Sequence, residues 1–247
     1  MRADGQTIES RLLRQARGVA KKTLAFSAGL YPRVRVSALR SPLVHRRGPL
    51  RWAPDPITLS CTAGQITNMR ARLEGHGDRY WIGVFGVITA RKNLPLIIQA
   101  ILDQPDVGLM IAGSIDAEVS EEIAPLLAKF AAAGGHVLQL SETLTDAEFD
   151  GAISAVDCVV VAHSNEGPSG VVLKAAASGR RLVLAGAMSL KRDAAYLGEQ
   201  AMWSPLDVEA LSQAIAQAKR MPEPRSTVKV GAEGFLAALG LSQARLG

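Results

Sequence analysis

Residues 157–185 read Asp157-Cys-Val-Val-Val-Ala-His163-Ser-Asn-Glu166-Gly-Pro-Ser-Gly170-Val-Val-Leu-Lys174-Ala-Ala-Ala-Ser-Gly179-Arg-Arg181-Leu-Val-Leu-Ala185. Two apolar runs, Asp157–Ala162 and Arg181–Ala185, flank a polar, glycine-bearing stretch and a run of small residues. The runs are continuous rather than alternating. Strands of that kind are buried on both faces, as in a parallel sheet covered by helices. Gly170–Ser178, ended by Gly179, predicts the helix that crosses from one strand to the next.

The same alternation extends in both directions. Towards the N-terminus, strands are predicted at Trp81–Phe85, Val107–Ala112 and His136–Leu140, with helices at Leu94–Leu102, Glu118–Ala133 and Thr145–Ala155. Thr145 and Glu148 form a capping box at the start of the last of these. Towards the C-terminus, helices follow near Lys191–Leu197 and Asp207–Arg220, with a short strand at Ala201–Ser204 between them. The consequence is an α/β fold, a Rossmann-like doubly wound parallel sheet over residues 80–222. It is preceded by an incomplete N-terminal segment and linker, 1–79, and followed by a helical tail, 223–247. Ligands of such sheets bind at the carboxyl ends of the strands. That directs attention to loops 86–93, 113–117, 141–145, 163–170 and 186–190.

The N-terminal part differs in character. Residues 1–52 hold 12 Lys and Arg against Asp4 and Glu9, whereas the whole chain carries only +5. An apolar stripe from Ile8 to Leu24, interleaved with Arg and Lys, predicts a helix over 7–29. A strand at Val34–Ala38 and an extended linker over 39–57 follow, since Pro54 and Pro56 forbid a helix there. The basic segment suits an anionic surface or partner, and its apolar stripe requires a covering partner, either a second copy of the chain or a missing domain.

Composition narrows the functional classes. Aromatics are 4% of 247 residues, which argues against stacking platforms for nucleic acid. The basic region contains no recognition module for nucleic acid, so no such partner is expected. Cys61 and Cys158 have neither metal spacing nor a disulfide framework, and the histidines share no ligand spacing, so no metal site is assigned. A reducing cytoplasm is the expected compartment.

Two loops carry candidate chemistry. Gly86-Val-Ile-Thr-Ala-Arg-Lys92-Asn93 places a glycine at a strand end and two cations at a helix start, a pattern suited to an anion. In the second loop, Gly167 and Gly170 permit close backbone approach, and Ser169, Gly170 and Val171 stand at the helix start, where N–H groups are free. Glu166 lies at the strand mouth, where a carboxylate can accept hydrogen bonds from sugar hydroxyls. His163 and Ser164, with Ser114 and Asp116 on a neighbouring loop, are further candidates for the same cleft.

Residues 80–220 resemble the nucleotide-sugar-binding half of GT-B glycosyltransferases, in particular the retaining enzymes of family 4. The resemblance rests on Gly86–Asn93 with the helix after it, on Val107–Gly113, and on the Asp157–Val183 run of strand, Ser164, Glu166-Gly167, seven-residue spacing, small-residue helix and glycine. It implies that Lys92 holds the donor diphosphate and that Glu166 contacts the donor sugar, both acting in catalysis. It implies donor contacts at Gly86, Ser164, Gly167, Ser169, Gly170, Val171 and Lys174. A nucleotide-diphospho-sugar would be the donor substrate, with no cofactor or metal, and a glycan or lipid-linked hydroxyl the acceptor. The resemblance is compatible with contact at the inner face of a membrane.

The chain departs from that pattern in four ways. Lys174 stands where the family has its second acid, so either a phosphate contact replaces the ribose contact or donor binding is altered. Val87 stands where an arginine is common. Pro168 and Ser169 replace Phe-Gly. The segment before residue 80, with one predicted helix, one strand and a linker, is shorter than a typical domain of about 100–150 residues. Three readings follow: a fragment, a chain completed by another, or a non-catalytic binding or assembly module.

Overall fold

The computed structural model describes residues 23–24, 27–28, 36–40, 43, 51–140, 143–226 and 228–241. The helix expected over 7–29 lies outside these residues except at 23–24 and 27–28, which are helical. The chain divides into two compact units, one of residues 41–45 and 55–232, the other of residues 1–40, 46–54 and 233–247.

In the smaller unit, strands β1 (Ser37–Arg40) and β2 (Arg51–Pro54) pair in parallel. The linker reading of 39–57 thus contains a strand; both structures are extended, and proline patterning alone does not separate them. A late helix, Glu233–Leu239, packs along β2.

The larger unit opens with helix α1 (Ala63–Glu74) and continues as β3 (Tyr80–Phe85), α2 (Leu94–Ile101), β4 (Val107–Ala112), α3 (Ala117–Ala132), β5 (His136–Leu140), α4 (Asp146–Ala155) and β6 (Cys158–His163). Then come α5 (Gly170–Ala177), β7 (Arg181–Gly186), α6 (Met188–Leu197), β8 (Ala201–Ser204) and α7 (Val208–Arg220). All six strands are parallel, in the order β5-β4-β3-β6-β7-β8. This is a doubly wound sheet whose order reverses between β3 and β6.

The continuous apolar strands are buried on both faces, as their composition requires. Along β3, Trp81 and Phe85 join a core with Val159, Val161, Leu182 and Leu184. Ile82 and Val84 face the opposite core with Cys158, Val160 and Val183. Each such side chain contributes about 1.5–3 kcal/mol on burial. The Trp81 indole leaves no room on β4 for a side chain at Gly108, where a Cβ would lie 2.6 Å from the ring.

Helix α1 belongs to the sheet unit, so the compact boundary falls at residue 55 rather than 80. Its Met69 and Leu73 enter the core beside Ile153. Arg70 donates to the carbonyl of Ala155 and to Asp157 Oδ1 at 2.7 Å, while Asp157 Oδ2 accepts the Trp81 N–H at 2.7 Å. One carboxylate thus ties α1 to the start of β3 and β6. The helix starts with a Thr62–Gln65 capping box, the same signal that marks Thr145–Glu148 at α4.

Candidate active site

At the reversal point β3 and β6 separate. Their pairing is confined to Ile82–Cys158 and Gly83–Val159, whereas β3 and β4 pair along all six residues of each. Beyond those pairs no ladder joins the two strands, and a cavity of about 10 Å³ remains between Val84, Phe85, Lys92, Val160, Ala162 and His163.

Lys92 occupies this opening. Only 7% of it is exposed, and its ammonium donates to the carbonyl of Phe85, the last residue of β3. The chain can fold back this tightly because Gly86 adopts φ +84°, where a Cβ would lie 3.0 Å from Lys92 Nζ. Burial, and then the charge of Arg91, bring the Lys92 ammonium down from 10.5 to about 8. Among the described residues no carboxylate lies within ion-pair distance of Lys92 or Arg91.

The loop after β3 is fastened to the loop after β6. The Arg91 carbonyl accepts the Ser164 N–H at 3.0 Å and the Ser164 hydroxyl at 3.3 Å. Asn93, held at φ 50°, donates its side-chain amide to the carbonyls of Arg91 and Ala162. Arg91 Nη1 reaches Asn165 Oδ1 at 3.3 Å. His163, half-buried beside this pair of cations, is lowered to about 4 by burial and then by Lys92 and Arg91.

On the other side of the loop, α5 begins at Gly170 after a buried Ser169. The first N–H groups of such a helix have no intrahelical partner. Beyond the adjoining chain, no atom lies within 4 Å of a Cβ placed on Gly167 or Gly170, so a ligand has room to approach the backbone there. Val171 borders the same small cavity as Lys92. Lys92 and Val171 therefore border one small cavity at the carboxyl ends of β3 and β6, and Gly86, Ser164, Ser169 and Gly170 lie on the loops that lead from those ends.

Two site residues have other partners. Glu166 caps α6: its carboxylate accepts the N–H groups of Met188 at 2.7 Å and Ser189 at 2.8 Å, and the Ser189 hydroxyl accepts the Gly167 N–H at 3.3 Å. Lys174 Nζ lies 2.5 Å from Asp150 Oδ1 on α4. Asp150 is fully buried, and its other oxygen accepts the Ser60 N–H at 2.8 Å. Of the candidates on loop 113–117, Ser114 is exposed and its carbonyl accepts the Ile88 N–H, and Asp116 precedes α3 without a side-chain cap.

Arg91 was read from sequence only as one of two cations suited to an anion, and Asn93 and Ser189 were not singled out. Arg91 and Asn93 sit within a loop that the strand pattern flags. Ser189 has only its place in loop 186–190 as a signal.

Larger cavities lie at the opposite, amino ends of the strands. One of 430 Å³ is lined by Arg70, Trp81 and Asp157, and one of 590 Å³ by Arg181, Tyr196 and Met221. Arg181 there is occupied by the backbone carbonyls of Glu199 and Pro222. Among the described residues no group of His, Cys, Asp or Glu is placed to hold a metal ion. Nor is any helix among them long and apolar enough to cross a membrane.

No family model matches the sequence, nor does any curated protein. Solved structures do match by shape. Anabaena HepE, in complex with UDP and glucose, superposes with TM-score 0.57 at 17% identity, over 80% of this chain and 56% of its own. WaaG, a glycosyltransferase involved in lipopolysaccharide biosynthesis, gives TM-score 0.59 at 14% identity, over 78% and 56%. The UDP-forming α,α-trehalose-phosphate synthase of Burkholderia xenovorans gives 0.54 at 15%, over 70% and 45%.

The fold is GT-B glycosyltransferase-like. The GT-B-like chain spans about half the length of the solved structures it matches. Its sheet order places the opening between β3 and β6 where doubly wound folds take ligands.

Proposed function

We propose that this chain binds a nucleotide-diphospho-sugar in the β3–β6 crevice and serves as the donor half of a retaining glycosyltransferase. The observation that carries the reading is Lys92, a buried ammonium without a carboxylate partner among the described residues, set at the unpaired ends of β3 and β6 on the side where α5 starts. A buried cation without a counter-ion is costly unless an anion completes it. A diphosphate at this point would meet Lys92 and the first N–H groups of α5 together. HepE and WaaG, similar in fold, are respectively bound to UDP and described as a glycosyltransferase, which supports the reading.

In the transfer, an acceptor hydroxyl oxygen bonds to the anomeric carbon as the bond from that carbon to the diphosphate oxygen breaks. The hydroxyl proton passes to the departing diphosphate. Charge develops on the leaving group, so Lys92 and the α5 N–H groups stabilise the transition state more than the bound donor. A glycan or lipid-linked acceptor and a site of action at the cytoplasmic membrane face belong to the same proposal.

A second reading, a binding or assembly module without transfer, is favoured by Glu166 and Lys174. Both oxygens of Glu166 are taken by α6, and Lys174 is paired with Asp150. Calorimetric titration with UDP, GDP and ADP tests the shared donor site. Lys92→Ala is expected to weaken the nucleotide that binds by about 1.5–3 kcal/mol, the worth of a hydrogen bond to a charged group. Unchanged affinity would remove the assignment. Release of nucleoside diphosphate from the matching sugar donor then separates enzyme from binding module.

A further inference from the structure

A nucleoside diphosphate carries more negative charge than one ammonium neutralises, and part of the donor capacity of Lys92 is spent on the Phe85 carbonyl. The groups around the crevice show where a second positive charge is available. Val87, on the same loop, is apolar and 57% exposed. Lys174 is held by Asp150 on α4. Arg192, one turn into α6, turns its Nε to the carbonyl of Met188. Arg91 remains.

Three features set Arg91 apart from an ordinary surface arginine. Its backbone is fixed by the Ser164 N–H, the Ser164 hydroxyl and the Asn93 amide, all converging on one carbonyl. Its guanidinium spans from the β3 loop to the β6 loop, where it makes one bond, with a neutral amide, at 3.3 Å. No acid among the described residues pairs with it, and the nearest acid in sequence on the β6 loop, Glu166, is committed to the start of α6. Most of its planar fork is therefore free for oxyanions, and guanidinium geometry suits phosphoryl oxygens. Its charge is also felt at Lys92 and His163, both of which it lowers.

We propose that Arg91 is the second cation of the diphosphate site, acting with Lys92 on the phosphoryl groups of the donor. This rests on the donor-site reading above. Arg91 is exposed, so the side chain can be removed while the backbone carbonyl that ties the two loops stays in place.

The test is calorimetric titration of the chain and of Arg91→Ala, Arg91→Lys and Lys92→Ala with UDP, GDP, ADP and inorganic pyrophosphate. Arg91→Ala is expected to lose about tenfold in affinity for the nucleoside diphosphate that binds and for pyrophosphate, the range of one charge-assisted contact at a partly screened site. Its melting temperature without ligand is expected to stay unchanged, and Arg91→Lys to recover part of the loss. Wild-type affinity in Arg91→Ala, with affinity lost in Lys92→Ala, overturns the assignment while leaving the donor site standing. Failure of the unmodified chain to bind any of these anions overturns the donor site itself.

Discussion

Glu166 and Ser189 hold each other from opposite directions. The Glu166 carboxylate accepts the Ser189 N–H at 2.8 Å, and the Ser189 hydroxyl accepts the N–H of Gly167, the residue after Glu166, at 3.3 Å. The loop that leads into α5 is thereby clasped to the start of α6. Glu166→Ala removes a helix cap and should cost about 1 kcal/mol in urea unfolding. Burial works to raise the Glu166 carboxyl, but the Met188 and Ser189 N–H groups, the Ser189 hydroxyl and Arg192 outweigh it and hold the group below its ordinary value. A lowered carboxyl stabilises the fold above its unfolded pKa and loses that contribution as pH falls through its folded one. The gap between wild type and Glu166→Ala should therefore close in acid. A gap that persists below pH 3 would mean the charge is not what caps α6.

Lys92 is expected to set function against stability. With a folded value of about 8 against 10.5, the native lysine is largely neutral between those limits while the unfolded one still holds its proton. Stability should consequently rise with pH through that window, because the unfolded state binds more protons there. Lys92→Met replaces a buried charge with an apolar chain of similar length. It should unfold at a higher temperature than wild type at pH 7, lose the rise between pH 8 and 10, and fail to bind nucleoside diphosphate. A less stable Lys92→Met would show that the Phe85 carbonyl compensates the charge fully.

Lys174 offers a direct separation of packing from binding. Asp150 is fully buried and pairs with Lys174, its only cation among the described residues, with the Ser60 N–H on its other oxygen. Lys174→Ala should destabilise by about 3 kcal/mol, since it strands a buried carboxylate. Adding Asp150→Asn should recover much of that by removing the charge. If nucleotide affinity follows stability and returns in the double variant, Lys174 acts through α4 and α5. If affinity stays lost, Lys174 touches the donor.

The sheet was legible because its strands announce themselves without tertiary help. Val107–Ala112 and His136–Leu140 match their predicted limits, and the Thr145–Glu148 box marks α4. Helix α1 carries the same kind of box in Thr62 and Gln65, yet its apolar face is thin, with Met69 and Leu73 alone buried, so periodicity gave little signal. Lys92 was legible from its spacing to Gly86, although its burial depends on β3 and β6 parting, a feature of pairing rather than of local sequence. The partners of Glu166 and Lys174 lie 22 to 24 residues away, on α6 and α4. Contacts at that separation are set by which helices the sheet brings together.

His163 reports on the whole site. Burial first, then the charges of Lys92 and Arg91, lower it from 6.5 to about 4, so its ring is neutral at pH 7. The unfolded chain takes up a proton between those values before the native chain does, so this group weakens the fold as pH falls from 6.5 through 4. A bound diphosphate would place negative charge against the two cations that depress it. Its pKa should rise on nucleotide addition, and rise in Arg91→Ala or Lys92→Met without any ligand. Titration of the imidazole nitrogens by NMR, free and with the nucleotide, measures each shift at a single residue. An imidazole that titrates near 6.5 in the free chain, and ignores both substitutions, would show that Lys92 and Arg91 do not direct their charge into the crevice.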